Sequence, residues 1–256
     1  MNRYEGRRVL ITGGGSGIGR ATVHRVLAEG GRVVAADVNA AGLAETYGTA
    51  VTDGTAERLT TLSLDISDEA SVRAGVASAL DTLGGLDVLV NAAGILRSEH
   101  THKTTLEFFN KIIAVNLTGT FLMVRETIGA LLEGDGPVVV NFSSTSAAFA
   151  HPYMAAYAAS KGGIQSMTHA LAGEYSKQGV RFVAVAPGSI SSDMTSGNGP
   201  GLPADADMSL FAKLSPALGA GFASPDTVAG VVAMLGSEDG AFITGTEIRI
   251  DGGTHF

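Results

Sequence analysis

Short apolar segments alternate with longer segments of helical character along this whole chain of 256 residues. A brief, almost continuously apolar run is typical of a strand that is buried on both faces of a parallel sheet. Runs of this kind predict seven strands, at 9–11, 32–36, 59–64, 86–90, 138–142, 181–186 and 247–250. Helical patterns between them predict helices over 17–30, 40–51, 68–83, 103–133, 155–178 and 224–236. This alternation predicts a doubly wound α/β fold, with a mostly parallel seven-stranded sheet and helices on both faces.

The composition argues against several classes of protein. Hydrophobic residues make up 45 % of the chain, which is enough for a large core, and we expect a single domain over 1–256. The formal net charge of −8 disfavours nucleic acid or an anionic membrane surface as a partner. No apolar stretch approaches the roughly 18 uninterrupted residues that a membrane span needs. Because there is no cysteine, we expect no disulfide framework and a cytoplasmic location.

A glycine-rich turn follows the first predicted strand, with the sequence Gly13-Gly14-Gly15-Ser16-Gly17-Ile18-Gly19. A helix that begins here directs free backbone N–H groups at the turn, and glycine leaves room for a pyrophosphate. An acid, Asp37, ends the second predicted strand, 18 residues beyond Gly19. Its carboxylate can accept hydrogen bonds from both hydroxyls of an adenosine ribose and would repel a 2′-phosphate. The pattern therefore predicts a Rossmann-type site for NAD.

A second pattern predicts acid–base chemistry. Of the five tyrosines, only Tyr157 is followed four residues later by a lysine, Lys161. On a helix these two side chains share a face, and a nearby ammonium lowers the pKa of a phenol from its usual value near 10. Such a tyrosine can exchange a proton with an alcohol or a ketone near neutral pH. Ser144, thirteen residues upstream and just after the fifth predicted strand, can hydrogen-bond the same substrate oxygen.

Taken in order, these motifs resemble those of the short-chain dehydrogenase/reductase family, over about residues 5–253. The resemblance rests on the glycine turn and on six further segments: Asp65-Ile66, Asn91-Ala92-Ala93-Gly94, Val115-Asn116-Leu117, the set of Ser144, Tyr157 and Lys161, Pro187-Gly188-Ser189-Ile190, and Asp251-Gly252-Gly253. A hydroxyl residue, Ser192, stands where the family often has threonine.

The resemblance implies roles for four catalytic residues. Tyr157 is the expected general acid/base, and Lys161 is expected to lower its pKa and to bond the nicotinamide ribose. Ser144 is expected to orient the substrate oxygen, and Asn116 to hold a water in a proton relay. The family also implies a homotetramer. The expected cofactor-binding residues are Gly13, Ser16, Gly17, Ile18, Gly19, Asp37, Asp65, Ile66, Asn91, Ala92, Gly94, Tyr157, Lys161, Pro187, Gly188, Ile190 and Ser192.

The substrate side of the site is less marked in the sequence. Segment 188–222 is long and rich in glycine and proline, which predicts a lid-like loop over the substrate. We expect substrate contacts from Ser146, His151, Tyr153 and Met194. The chain stops shortly after 251–253, so we expect little of the tail to shape the pocket. The six histidines are scattered, and we expect no metal site.

These features favour an NAD-dependent oxidoreductase that interconverts a secondary alcohol and a ketone. Two alternatives stay open. Residues 187–194 also look like those of 3-oxoacyl-acyl-carrier-protein reductases, although those enzymes generally place basic residues around an adenosine 2′-phosphate. A non-catalytic NAD-binding sensor could share the fold. The presence of all four catalytic residues argues against the sensor, because a sensor needs only the glycine turn.

Overall fold

Seven parallel strands form one sheet in the computed structural model, which describes residues 2–192, 194–195, 201–219 and 221–255. The strand order is β3-β2-β1-β4-β5-β6-β7, and each neighbouring pair is parallel. The predicted fold class is therefore confirmed. The strands are β1 (Arg8–Thr12), β2 (Arg32–Asp37), β3 (Leu59–Ser63), β4 (Val88–Asn91), β5 (Val138–Phe142), β6 (Arg181–Pro187) and β7 (Thr246–Ile250).

Helices cover both faces of the sheet, because neighbouring strand residues point to opposite sides. In β1, Val9 and Ile11 join a core beneath α1 and α7, while Leu10 joins a second core with residues of α3 and α5. The helices are α1 (Gly17–Ala28), α2 (Ala40–Thr52), α3 (Glu69–Leu83), α4 (Leu106–Ile113), α5 (Gly119–Leu132), α6 (Ala155–Tyr175) and α7 (Pro225–Leu235).

One predicted helix, 103–133, differs in detail from the structure. A π-helical turn, Ala114–Thr118, joins α4 to α5, and Asn116 lies in this turn. Turns of this type insert an extra residue into a helix and often occur at functional sites. By length and composition alone, the continuous helix Leu106–Leu132 could cross a membrane, with a mean hydropathy of 1.2. Here α4 packs against α6 and α5 packs against α3, as expected of helices that cover a sheet.

Asp87 connects the amino-terminal ends of three central strands through hydrogen bonds. It immediately precedes β4, and its carboxylate accepts hydrogen bonds from the backbone N–H and the guanidinium of Arg8 at the start of β1. It also accepts from the N–H of Asp135, in the turn before β5, at 2.9 Å. Burial acts to raise the pKa of Asp87, but these hydrogen bonds outweigh burial and hold the pKa below its usual range. The strands β1, β4 and β5 are thereby aligned, so their opposite ends form a common edge.

Candidate active site

The glycine turn after β1 packs too closely for side chains. A Cβ on Gly13 would lie 2.8 Å from the backbone nitrogen of Ala93, and one on Gly19 would lie 2.0 Å from the carbonyl oxygen of Gly13. The φ of Gly13 is +72°, which also favours glycine. The turn is thus pressed against the segment that follows β4, and α1 begins at its far side with Gly17.

Asp37 is held at the end of β2 by two backbone groups. One carboxylate oxygen accepts a hydrogen bond from the N–H of Gly15 at 3.0 Å, and the other accepts from the N–H of Asn39 at 2.9 Å. Each oxygen keeps a further lone pair, because a carboxylate offers about four acceptor positions. The carboxylate is therefore oriented beside the glycine turn and can still accept hydrogen bonds from a ligand.

A cavity of about 790 Å³ lies along the carboxyl edge of the sheet. Of the predicted cofactor residues, all but Asn91 line it; the others are Gly13, Ser16, Gly17, Ile18, Gly19, Asp37, Asp65, Ile66, Ala92, Gly94, Tyr157, Lys161, Pro187, Gly188, Ile190 and Ser192. Asn91 is buried behind the lining, and its amide donates to the side-chain oxygen of Asn141 at 3.0 Å. Asn91 thus ties β4 to β5 beneath the cavity.

Tyr157, Lys161 and Ser144 all line this cavity. The ammonium of Lys161 donates to the carbonyl oxygen of Phe142 at 2.7 Å and lies 5.6 Å from the centre of the Tyr157 ring. Burial lowers the pKa of Lys161 to about 8. Burial raises the pKa of the Tyr157 phenol, and a hydrogen bond with the Ser144 hydroxyl lowers it by less. In the ligand-free protein the phenol pKa is therefore raised, against the expectation that Lys161 would lower it.

Asn116 is fully buried in the π-helical turn behind Lys161 and does not line the cavity. Its side-chain oxygen accepts from the N–H of Ile95 at 2.8 Å, and its amide donates to the carbonyl oxygen of Ile95 and to the hydroxyl of Ser160. A Cβ built on Gly94 would lie 3.2 Å from that oxygen and 3.6 Å from the Lys161 nitrogen. Asn116 therefore fixes the backbone at 94–95, next to the lysine.

Beyond the predicted cofactor residues, the cavity lining is mainly apolar, with several polar groups. Its apolar wall comprises Leu96, Met154, Met194, Leu202, Met208, Phe211 and Leu214. The polar residues there include Thr145, His151, Ser215, Thr254 and His255. The expectation that the tail contributes little to the pocket is wrong, because Thr254 and His255 line the cavity. No local pattern marked Thr145 or His255; only the position of Thr145, next to Ser144, could have suggested it.

Two predicted substrate contacts, Ser146 and Tyr153, lie outside the cavity lining. The N–H of Ser146 donates to the Ser144 hydroxyl at 3.2 Å. Tyr153 is the one non-glycine residue with positive φ in the described part of the chain, at 66°. Its carbonyl oxygen accepts from the N–H of Glu99, its hydroxyl accepts from the N–H of Asp207, and its ring stacks on Phe211. Both residues therefore support cavity residues from behind.

The chain is similar to known proteins in sequence and in structure. The sequence model for the short chain dehydrogenase family matches residues 7–202. The chain is 36 % identical to 2-(S)-hydroxypropyl-CoM dehydrogenase 3 of Xanthobacter autotrophicus over 254 residues, 98 % of each protein.

Among solved structures of similar proteins, one contains NADH and another contains NADP. The 3-ketoacyl-(acyl-carrier-protein) reductase of Brucella melitensis, complexed with NADH, has a TM-score of 0.87 and 32 % identity, covering 98 % of this chain and 99 % of that one. A short chain dehydrogenase of Burkholderia cenocepacia, in complex with NADP, also has a TM-score of 0.87, with 30 % identity over 99 % of each chain. The chain therefore belongs to the short-chain dehydrogenase family and is an oxidoreductase that acts on CH–OH or keto groups.

Proposed function

We propose that this protein transfers hydride between NAD and a secondary alcohol or ketone, with Tyr157 as the general acid/base. The observation that carries the proposal is the convergence of Ser144, Tyr157 and Lys161 in one cavity with the glycine turn and Asp37. In this proposal the whole chain acts as one dinucleotide-binding domain. The nicotinamide accepts or releases the hydride, and the protein orients the reactants and moves the proton.

The residues around the glycine turn fit an adenosine with a free 2′-hydroxyl. Gly15 is so close to Asp37 that a Cβ there would lie 2.9 Å from the carboxylate oxygen. A 2′-phosphate would therefore meet a fixed negative charge, and among the described residues no arginine or lysine pairs with Asp37. This supports NAD over NADP, although relatives with similar structures bind either cofactor.

The buried phenol and ammonium support the acid–base role. Tyr157 with a raised pKa holds its proton in the free enzyme and can donate it to a ketone oxygen during reduction. In the direction of oxidation the phenol must first ionise. The positive charge of an oxidised nicotinamide would favour this ionisation, and so would a protonated Lys161. Ser144, whose hydroxyl acts to lower the pKa of the phenol, can share the substrate oxygen with it.

The predicted lid is segment 188–222. Residues 193, 196–200 and 220 of this segment lie outside the described part of the chain. Its described part holds one short 3₁₀ turn, Met208–Phe211, and Met208 and Leu210 are more than half exposed. Two polar contacts hold the segment in place. The Asp205 carboxylate lies 2.9 Å from the imidazole of His100, and the N–H of Asp207 donates to the Tyr153 hydroxyl. We propose that this segment closes further over NAD and a neutral, mostly apolar alcohol, which excludes water from hydride transfer.

A homotetramer and a cytoplasmic location are also part of the proposal. Several large apolar side chains are exposed on one protomer, including Leu106 and Phe121 on the α4–α5 helix and the fully exposed Phe242 before β7. Contacts with other copies would cover such residues.

A 3-oxoacyl thioester reductase is the second candidate, since a similar reductase binds NADH. Acetoacetyl thioesters therefore belong in the substrate panel.

Replacing Asp37 with alanine should narrow the preference for NAD, because the variant no longer repels a 2′-phosphate or bonds the ribose hydroxyls. The measurement is kcat/KM with NAD and with NADP, for the unaltered protein and the variant. Asp53, an exposed aspartate at the end of α2, supplies the control variant Asp53→Ala, which should keep the original preference. Equal or better kcat/KM with NADP in the unaltered protein would refute the assignment of NAD.

Tyr157→Phe should lower kcat by a factor on the order of 10²–10⁴, the usual contribution of general acid–base catalysis, while NAD binding stays close to normal. Secondary alcohols, ketones and acetoacetyl thioesters are screened by the absorbance of the reduced cofactor, and the best substrate is used for the variant. Tyr175→Phe, at the end of α6, serves as the control. Near-full activity in Tyr157→Phe would exclude the proposed mechanism.

Lys161→Met should abolish most activity and yet stabilise the ligand-free protein by about 1–3 kcal/mol, because a buried ammonium is removed. The pKa of Lys161 falls from 10.5 to about 8 on folding, so below pH 8 the folded state carries the full cost of the charge. That cost declines as the pH rises from about 8 towards 10.5, since the folded protein then releases the proton first. The gain in unfolding free energy should therefore be largest below pH 8 and shrink above it.

Denaturant unfolding at several pH values measures this effect, with the exposed Lys177→Met as a control that should change stability little. A Lys161→Met protein that is less stable than the unaltered one below pH 8 would contradict the prediction.

Amide hydrogen exchange across 201–215 should slow when NAD and substrate are added, because few regular hydrogen bonds protect this segment in the free protein. Tyr153→Phe, which removes the acceptor for the Asp207 N–H, should speed exchange there in the free protein. Exchange that is already slow without ligand, and unchanged by it, would identify the segment as a fixed wall.

A further inference from the structure

His255 is fixed at the cavity by three contacts. Its Nδ1 lies 3.1 Å from a carboxylate oxygen of Asp251, and its backbone N–H donates to the same oxygen at 3.2 Å. Its ring stacks on Phe149 with the ring centres 4.0 Å apart and the planes 15° apart. Only 11 % of its side chain is exposed. A side chain held this firmly can present one polar atom in a defined position.

The hydrogen-bond partners of His255 identify that atom. A carboxylate can only accept, so Nδ1 carries the hydrogen donated to Asp251. Nε2 has no protein partner among the described residues, and in the neutral imidazole it is an acceptor. Arg249 lies 3.5 Å from the same Asp251 oxygen, and its guanidinium lies 5.1 Å from the centre of the Phe149 ring. Asp251 and Phe149 are therefore themselves fixed, and His255 with them.

A second polar group lies nearby, at Thr145 and His151. The carbonyl oxygen of Phe149 can only accept, so the Nδ1 of His151, 3.2 Å away, carries the hydrogen. The Nε2 of His151 then accepts from the Thr145 hydroxyl at 3.3 Å, which leaves the lone pairs of that hydroxyl unused. The two imidazole rings are 6.0 Å apart. Both His255 and Thr145 thus offer acceptors in a cavity wall that is otherwise mainly apolar.

We propose that His255 and Thr145 form a hydroxyl-binding subsite, which selects alcohols and ketones that carry a second, uncharged hydroxyl group. The substrate class is then a diol, or the hydroxyketone that its oxidation gives. This inference rests on the proposed function, because Ser144 and Tyr157 hold the reacting oxygen while the subsite holds the other. A hydroxyl can donate its one hydrogen to the Nε2 of His255 or to the Thr145 oxygen, which a methyl group, an ether oxygen or a ketone oxygen cannot do.

Matched substrate pairs test the subsite in the full-length protein. The kcat/KM values for 1,2- and 1,3-diols are compared with those of the secondary alcohols that lack the second hydroxyl. At least one diol should be preferred by tenfold or more. His255→Phe retains a ring that can stack on Phe149 but lacks Nε2, so the preference should fall about five- to tenfold, the loss expected for one neutral hydrogen bond. The kcat/KM for the diol should fall more than the kcat/KM for the matched simple alcohol.

Thr145→Val removes the second acceptor with little change in volume, and it should also reduce the preference. The Thr145→Val variant tests the subsite independently if His255→Phe folds poorly. His169→Asn, at an exposed histidine of α6, should leave the preference intact. Oxidation of simple alcohols without a diol preference, or a preference that survives in both variants, would overturn the subsite alone. A preference for methyl ethers or amines over diols would do the same. NAD binding without oxidation of either member of any pair would overturn the proposed function as well.

Discussion

The parallel direction of all seven strands is the constraint on which the candidate site depends. Parallel strands end at a common edge, so residues distant in sequence are brought together there. Along this edge lie Thr12 of β1, Asp37 of β2, Asn91 of β4 and the Phe142 carbonyl of β5. Asp87 aligns three of these strands from the opposite end, through the backbone and side chain of Arg8 and the N–H of Asp135. Accurate placement at one edge therefore relies on a buried carboxylate at the other.

Lys161 is the group at this edge with the greatest energetic cost. Its ammonium is buried, and its one hydrogen-bond partner among the described residues is the Phe142 carbonyl at the end of β5. The pKa near 8 reflects that cost, since burial penalises the charged form. A purely structural residue at this position would be apolar, because a hydrophobic replacement for a buried charge is often at least as stable. The cost of this charge agrees with the role proposed for Lys161 in chemistry at Tyr157.

Local patterns in the sequence were sufficient to predict the fold and to identify many of the residues that line the cavity. Apolar runs located the strands, and the glycine turn and Asp37 were placed together because one βαβ unit contains both. Tertiary contacts decided what the sequence could not reveal. Ser146 and Tyr153, which are expected to contact substrate, lie outside the cavity lining, where they contact Ser144 and Phe211. The direction of the Tyr157 pKa depends on burial, which spacing along a helix does not report.

Asp251 lies between two parts of the cavity lining, Gly188 and His255. A Cβ on Gly188, in the segment proposed to contact the nicotinamide, would lie 2.7 Å from the Cβ of Asp251, so these two backbones are in direct contact. The same aspartate holds His255, which lines the substrate part of the cavity. Asp251 therefore contacts both the 187–188 segment and His255. Both oxygens of this aspartate are used, since one lies against His255 and Arg249 and the other accepts a hydrogen bond from the N–H of Gly253.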